Sequence, residues 1–394
     1  MNTLAEPAAT SQAAMRAMAA GDFATAEASL LQVLARDRGN LSAWLNLAAV
    51  RRQRQNIDGA FEALREALTI DGRDFRALLM SATMLEQLGQ SKQAATAYGV
   101  ALANAPPDSL LDAPTQAAVR HAREVQARHA RDLGDYIRSA ASGARSQCTP
   151  AERRRLDHFI GITLRVTPRY PQLPLEYYFP GLPPIEFYER AEFPWLGEFE
   201  AATPAIQQEL RTILAEDAAG FDPYIHYGKH LPLDQWQELN HSPRWSAFHF
   251  YRHGERIEDR CRRAPRTIEA IEKLPQAQVP LRSPTAIFSV LKPKTRIPPH
   301  TGVANFRLVV HLPLIVPPGC GFRVGSETRQ WRIGEAWVFD DTIEHEAWND
   351  SDETRVILIC DIWNPRLSAD ERRAIASVIA ATDAYNGTVP AAHV

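Results

Sequence analysis

Apolar residues return every three or four positions through roughly the first hundred residues, the spacing that gathers them on one face of a helix. Gly21, Gly39, Gly59, Gly72 and Gly89 fall near the breaks between these runs. Asp108 to Pro114 reads as a turn, and Gln116 to Ser139 as a further helix with Val119, Ala122, Val125, Ala130, Leu133 and Ile137 near helical spacing. From about residue 165 the pattern changes. Tyr170-Pro171-Gln172-Leu173-Pro174 and Phe179-Pro180-Gly181-Leu182-Pro183-Pro184 cannot be helix interiors, because proline lacks an amide proton and clashes with the preceding turn. Ala202–Glu216 and Arg266–Lys273 read as helices. Thr285–Leu291, Phe306–Val316, Gly321–Val324, Glu335–Phe339 and Thr354–Trp363 are β-branched or aromatic runs and read as strands.

The helical part repeats. Gly21-Asp22-Phe23, Gln55-Asn56-Ile57 and Gly89-Gln90-Ser91 stand 34 residues apart, as do Ala26, Ala60 and Ala94, and Leu34, Leu68 and Leu102. That period is the one of tetratricopeptide repeats, in which each unit is a helix–turn–helix. Small alanines let paired helices approach, and larger residues such as Trp44, Leu47 and Leu64 fill the space between them. Short strands divided by Pro/Gly or acidic turns predict a double-sheet jelly roll of cupin type. The expected fold is therefore multidomain, α plus β. A repeat solenoid spans residues 1–106, a helical connector 107–164 and a strand-rich domain 165–394.

Composition narrows the function classes. A chain of 394 residues with 45% hydrophobic and 23% charged residues is globular and not mainly disordered. The formal net charge of −3 gives no support for bulk nucleic-acid or anionic-membrane binding. Cys148, Cys261, Cys320 and Cys360 lack CxxC spacing, which argues against a zinc ribbon or disulfide scaffold and fits a reducing compartment. No apolar run approaches the ~20 residues of a membrane span, and the first residues lack a basic stretch followed by an apolar core. A cytoplasmic protein with no membrane span is expected.

Histidine remains as a ligand source. His300 follows Ile297-Pro298-Pro299 at a strand edge, His345 follows Phe339-Asp340-Asp341-Thr342-Ile343-Glu344, and Arg355 opens the last long strand. Imidazole suits Fe(II), Zn(II) and Cu(II) alike. An early histidine, a distal histidine and an arginine about ten residues on is the spacing of iron/2-oxoglutarate oxygenases, the arginine pairing with a carboxylate of the co-substrate. On Phe306–Val316, strand alternation places Arg307, Val309 and His311 on one face. A cation and a histidine inside a barrel need an anionic or polar partner. Arg355 shares its face with Ile357 and Ile359, and one cation among apolar residues reads as a ligand clamp. The usual facial triad adds a carboxylate to two histidines, yet His300-Thr301-Gly302 has glycine in that place. By the residues alone this means no metal, a two-histidine iron site with water in the vacant position, or a halide on the iron.

His300-Thr301-Gly302, Arg307-Leu308, His311-Leu312, Glu327-Thr328-Arg329, Trp331, Phe339-Asp340-Asp341, Glu344-His345-Glu346, Trp348 and Asp361-Ile362-Trp363 together resemble the aspartyl/asparaginyl β-hydroxylase family. Tyr178 to Pro183, Phe193 to Leu196, and Gly254 with Ala264-Pro265 extend the resemblance upstream, so that it covers about Tyr177 to Pro365. It implies a double-stranded β-helix carrying Fe(II) on two histidines without a protein carboxylate, to which Gly302 conforms. It further implies 2-oxoglutarate and O2 as co-substrates, His300 and His345 as iron ligands, and Arg355 as the clamp for the far carboxylate of 2-oxoglutarate. Ser289 and His311 match positions that help hold the co-substrate, and Tyr251 a position where an aromatic residue lines the pocket. Better-known members have an arginine two residues before the histidine matching His311. Here that place is Val309, and Arg307 is the candidate replacement. Animal members carry tetratricopeptide-like repeats and are membrane-anchored in the secretory pathway, an anchor not expected here.

The activity implied is β-hydroxylation of an Asp or Asn residue in a peptide or protein, with the repeats available to a protein partner. Alternatives are a hydroxylase of a free amino acid, small metabolite or lipid, an adaptor whose barrel is inactive, and a halogenase using the vacancy at Gly302. Retention of His300, His345 and Arg355 argues against an inactive barrel.

Overall fold

The computed structural model describes residues 5–216, 220–228 and 232–387. The chain divides into two compact units, residues 1–166 and 167–394.

The first unit is helical. α1 (Ala5–Ala19), α2 (Phe23–Arg36), α3 (Leu41–Gln53), α4 (Ile57–Ile70), α5 (Phe75–Gln87) and α6 (Ser91–Ala103) form antiparallel pairs, followed by α7 (Ala113–Ala140), α8 (Ser142–Ser146) and α9 (Pro150–Thr163). The 34-residue period is visible in the helix starts. Asp22 and Asn56, one period apart, cap α2 and α4, while Asn40 and Asp74, again one period apart, cap α3 and α5. Each side chain accepts a hydrogen bond from the amide three residues on, satisfying a donor with no partner inside the helix. Ala26, Ala60 and Ala94 are fully buried at equivalent crossings, and Leu30, Leu64 and Tyr98 repeat four residues later. This register marks the helices as a tetratricopeptide-type solenoid. α7 packs on α6, where Val119 and Ala122 join the cluster around Tyr98.

The second unit carries two antiparallel sheets. Its elements are α10 (Leu196–Ala201), α11 (Thr203–Glu216), β1 (Asp222–Pro223), β2 (Trp245–Arg252), β3 (Glu255–Arg256), α12 (Glu258–Arg262), α13 (Pro265–Glu272), β4 (Ala286–Leu291), β5 (Thr295–His300), β6 (Arg307–Ile315), β7 (Cys320–Val324), β8 (Glu327–Arg329), β9 (Trp337–Phe339), β10 (His345–Asn349), β11 (Arg355–Trp363) and α14 (Ala369–Asn386). Among the described residues the large sheet runs β1-β2-β4-β11-β6-β9, with β3 paired to β2, and the small sheet runs β5-β10-β7-β8. The large sheet is covered on both faces. Ile206, Leu210 and Ile213 of α11 and Ile268 and Ile271 of α13 pack on Phe248, Phe288, Leu308 and Leu358. Its opposite face meets the small sheet across Trp245, Val309, Phe322, Ala347 and Ile357. Double burial explains why β4 and β11 read as nearly continuous apolar runs, without the alternation of a half-exposed strand.

The five strands expected from the sequence are present with ends shifted by one or two residues. β2, β5, β8 and β10 were not legible, since each is short or interrupted by polar and proline residues. Pro298 and Pro299 lie within β5, which is tolerated because β5 is the edge of its sheet. Among the described residues no helix is long and apolar enough to cross a membrane.

Candidate active site

Strand register lays out the inner face of the large sheet in rows, about 7 Å apart because two residues advance a strand by that much. Trp245, Leu291 and Arg355 form one row; Ala247, Ser289 and Ile357 form the next. His249, Ile287, Ile359 and His311 follow, and then Asp361 beside Val309. These rows and the facing small sheet enclose a cavity of about 200 Å³.

His300 and His345 face it from the small sheet. They are direct partners across β5 and β10, and their ring centroids are 4.0 Å apart. His300 Nδ1 lies 2.8 Å from the Pro298 carbonyl oxygen, and His345 Nδ1 lies 3.1 Å from that of Ile343. A carbonyl only accepts, so each Nδ1 carries the proton and each Nε2 keeps its lone pair. Burial pushes His300 down to about 3 and His345 to about 4, so both rings are neutral near pH 7. Two adjacent neutral imidazoles with oriented lone pairs are the donor set that a divalent transition metal takes.

Gly302 provides space beside this pair. A Cβ on residue 302 would overlap the Asp341 carboxylate, and the Gly302 amide donates to the Asp341 carbonyl at 2.6 Å. Asp341 Oδ2 accepts from Arg307 at 3.0 Å, while its buried Oδ1 has no partner. Burial raises the Asp341 carboxyl, and Arg307 opposes that shift. Among the described residues no group of three or more His, Cys, Asp or Glu is placed to hold a metal; the pair His300 and His345 is what the protein offers. Gly302→Ala is expected to displace Asp341, break its bond to Arg307 and destabilise the fold by about 1–3 kcal/mol, as overpacking does. Urea denaturation checks this, and an unchanged midpoint would show that the Asp341 position is not constrained by the glycine.

Arg355 is 2% exposed, and its Nε and Nη1 have no hydrogen-bond partner. Its guanidinium lies 4.9 Å from the Trp331 ring centroid. Burial pulls its pKa down to about 10, which still leaves it charged at neutral pH. A buried cation without an acceptor is costly and fits a site for an anion. Ser289 Oγ accepts from Trp245 Nε1 at 3.2 Å, which leaves its own proton free to donate into the cavity. His311 packs among Phe322, Trp331 and Phe339. Burial, then the charge of Arg355, hold it well below its usual pKa, and its Nδ1 has no partner.

The structure thus brings His300, His345, Arg355, Ser289, Arg307 and His311 to one cavity. It does not bring Tyr251 there. β2 has a bulge between His249 and Tyr251, so Phe250 and Tyr251 both turn into the core under α13. The Tyr251 hydroxyl bonds Glu272 at 2.9 Å. Arg307 is not free to replace the arginine absent at Val309, because Asp341 neutralises it. Asp341, Trp331 and Tyr224, which stacks on Trp245 at 4.1 Å, are cavity residues without an assigned role in the sequence reading. Asp341 stood in a matching motif, but its partner Arg307 is 34 positions away and no local pattern joins them.

The two facing antiparallel sheets form a double-stranded barrel that holds two neutral histidines and an unpaired arginine between them. The aspartyl/asparaginyl beta-hydroxylase profile matches residues 200–365. The chain is 38% identical over 152 residues to the human aspartyl/asparaginyl beta-hydroxylase, which is 38% of this chain and 20% of the relative. It is 34% identical over 196 residues to the ornithine lipid ester-linked acyl 2-hydroxylase of Rhizobium tropici, covering 49% of this chain and 65% of that protein. The chain therefore spans a fifth of the human relative and less than two thirds of the bacterial one. Among solved structures, the Arabidopsis OM64 TPR domain aligns at 19% identity and a TM-score of 0.27, covering 31% of this chain and 95% of that one.

Proposed function

We propose that residues 167–394 form an Fe(II)- and 2-oxoglutarate-dependent hydroxylase. The observation that carries this reading is the conjunction, in one cavity, of two neutral histidines and a buried arginine with no protein acceptor. His300 and His345 would hold the iron through Nε2, with the Pro298 and Ile343 carbonyls fixing their tautomers. Arg355 and the Ser289 hydroxyl would take the far carboxylate of 2-oxoglutarate. His311, neutral and with Nδ1 free, would face the co-substrate beside Arg355. Asp341, pinned by Arg307, would stand beside the iron position in the space that Gly302 leaves open. When bound, Fe(II) with 2-oxoglutarate and O2 supplies the oxidant for an unactivated C–H bond, with succinate and CO2 as co-products. The apolar walls around Phe322, Phe339 and Ile359 exclude water from that chemistry.

The names of the relatives point to two acceptors, an aspartyl or asparaginyl residue of a polypeptide and the acyl chain of a lipid. Both offer an unactivated C–H bond, so the reaction class is the same. The repeats are read as a docking module for a peptide or protein partner, since stacked helix pairs present a continuous concave face.

Anaerobic addition of Fe(II) and 2-oxoglutarate to the full chain is expected to produce a weak visible charge-transfer band. Admission of air should then yield succinate even without acceptor. A chain that gives neither band nor succinate is not an oxygenase of this class.

A further inference from the structure

Trp331 lies in the connection between β8 and β9, and packing fixes its ring. It stacks on Phe322 at 5.4 Å and on Trp337 at 5.8 Å, with interplanar angles of 28° and 23°. The Arg355 guanidinium lies 4.9 Å from its ring centroid, and the His311 ring 6.1 Å. Trp331 is 5% exposed and lines the cavity, yet its Nε1 has no hydrogen-bond partner. An indole N–H can only donate, and a donor buried without an acceptor is costly. Stacking alone does not call for that nitrogen, since a phenyl ring also stacks.

The same condition recurs in its neighbours. Arg355 Nε and Nη1 and His311 Nδ1 are buried without partners, and both residues line the cavity. Ser289, one row from Arg355 on the inner face, keeps its hydroxyl proton free. Nitrogens and a hydroxyl gathered around one guanidinium fit a single acceptor-rich anion. A carboxylate offers two oxygens with about four lone-pair sites, enough for several donors at once.

We propose that Trp331 is a binding residue for the carboxylate that Arg355 holds, to which its Nε1–H donates. The two parts of the indole then act separately. Its π-face supports the Arg355 charge in the ligand-free protein, where Nε and Nη1 have no acceptor. Its edge supplies a donor whose direction the Phe322 and Trp337 stacks fix beforehand, so little freedom is lost on binding. The indole nitrogen is a donor only, so it favours a carboxylate over any group that itself donates. This rests on the reading of Arg355 as the clamp for the far carboxylate of 2-oxoglutarate, and adds to it a neutral donor from outside the strands.

Calorimetric titration of the full chain with Fe(II) under nitrogen tests this. The ligands are 2-oxoglutarate, glutarate and 2-oxopentanoate, the last of which lacks the far carboxylate. Trp331→Phe keeps an aromatic face and removes the N–H. It should weaken 2-oxoglutarate and glutarate by about tenfold or more, the worth of one hydrogen bond to a charged group. Binding of 2-oxopentanoate should stay as in the wild type. Replacement of Trp331 by benzothienylalanine, which has the same shape with sulfur in place of the N–H, should give the same pattern without a change of volume. Both diacids bound as tightly by these variants as by the wild type would overturn the proposal. So would an equal loss for all three ligands in the benzothienylalanine chain, because the effect would then not depend on the far carboxylate. A wild type that binds glutarate but not 2-oxoglutarate sinks the co-substrate reading instead, and the Trp331 comparison is then read on glutarate. A wild type that binds neither diacid ends both readings.

Discussion

His345→Ala is expected to abolish 2-oxoglutarate turnover and to remove tight binding of Fe(II), while the far-UV spectrum stays that of the folded chain. The effect is large because the protein offers two histidines and no clustered third donor among the described residues. Removing one leaves a single imidazole. Loss of an outer-shell partner of a metal ligand already costs about 10–100-fold, so loss of the ligand itself should exceed about 100-fold. The variant also removes a ring packed near Phe322 and Phe339, so a thermal melt must accompany the metal titration. Wild-type Fe(II) affinity in a folded His345→Ala chain would remove His345 from the iron site.

Arg355→Met is expected to separate function from stability. Two hydrogen bonds from a guanidinium to a carboxylate are together worth about 3–6 kcal/mol, or about 10²–10⁴ in affinity. The 2-oxoglutarate affinity should fall by about that factor. In the ligand-free protein the same change removes a buried, unpartnered cation and substitutes an apolar side chain of similar length. Replacing buried charge by packed hydrophobe is often neutral or stabilising by about 1–4 kcal/mol, so the melting temperature without ligand should hold or rise. Added 2-oxoglutarate should then give no further stabilisation. A variant that binds 2-oxoglutarate normally shows that the carboxylate is held elsewhere, and one that melts far below the wild type shows that Arg355 is a structural group.

The repeat solenoid was legible because its signal is local. Ala26, Ala60 and Ala94 recur at one spacing, and each packs within a helix pair formed by neighbouring sequence. The strands with the longest apolar runs were legible for the same reason. β2, β5 and β10 were not, because their residues become strands only when β2 meets β4 and β10 lies between β5 and β7. The site shows the same division. His300, His345 and Arg355 stood out by type and spacing, and Arg307, Val309 and His311 were assigned to one face by alternation along a single strand.

Alternation fails where a bulge interrupts it. Counting from Trp245 and His249 puts Tyr251 in the cavity and Arg252 outside it; the extra residue in β2 exchanges them. Charge balance was equally out of reach, since Asp341 meets Arg307, and Asp383 meets Arg282, across distances no short-range pattern spans. The sequence by itself determined the two kinds of architecture and the residue types available for chemistry, because helix period, strand alternation and side-chain identity are carried by near neighbours. Only the tertiary structure decided which arginines remain unpaired and which side of β2 faces the histidines. Those depend on strand register and on contacts between residues far apart in the chain.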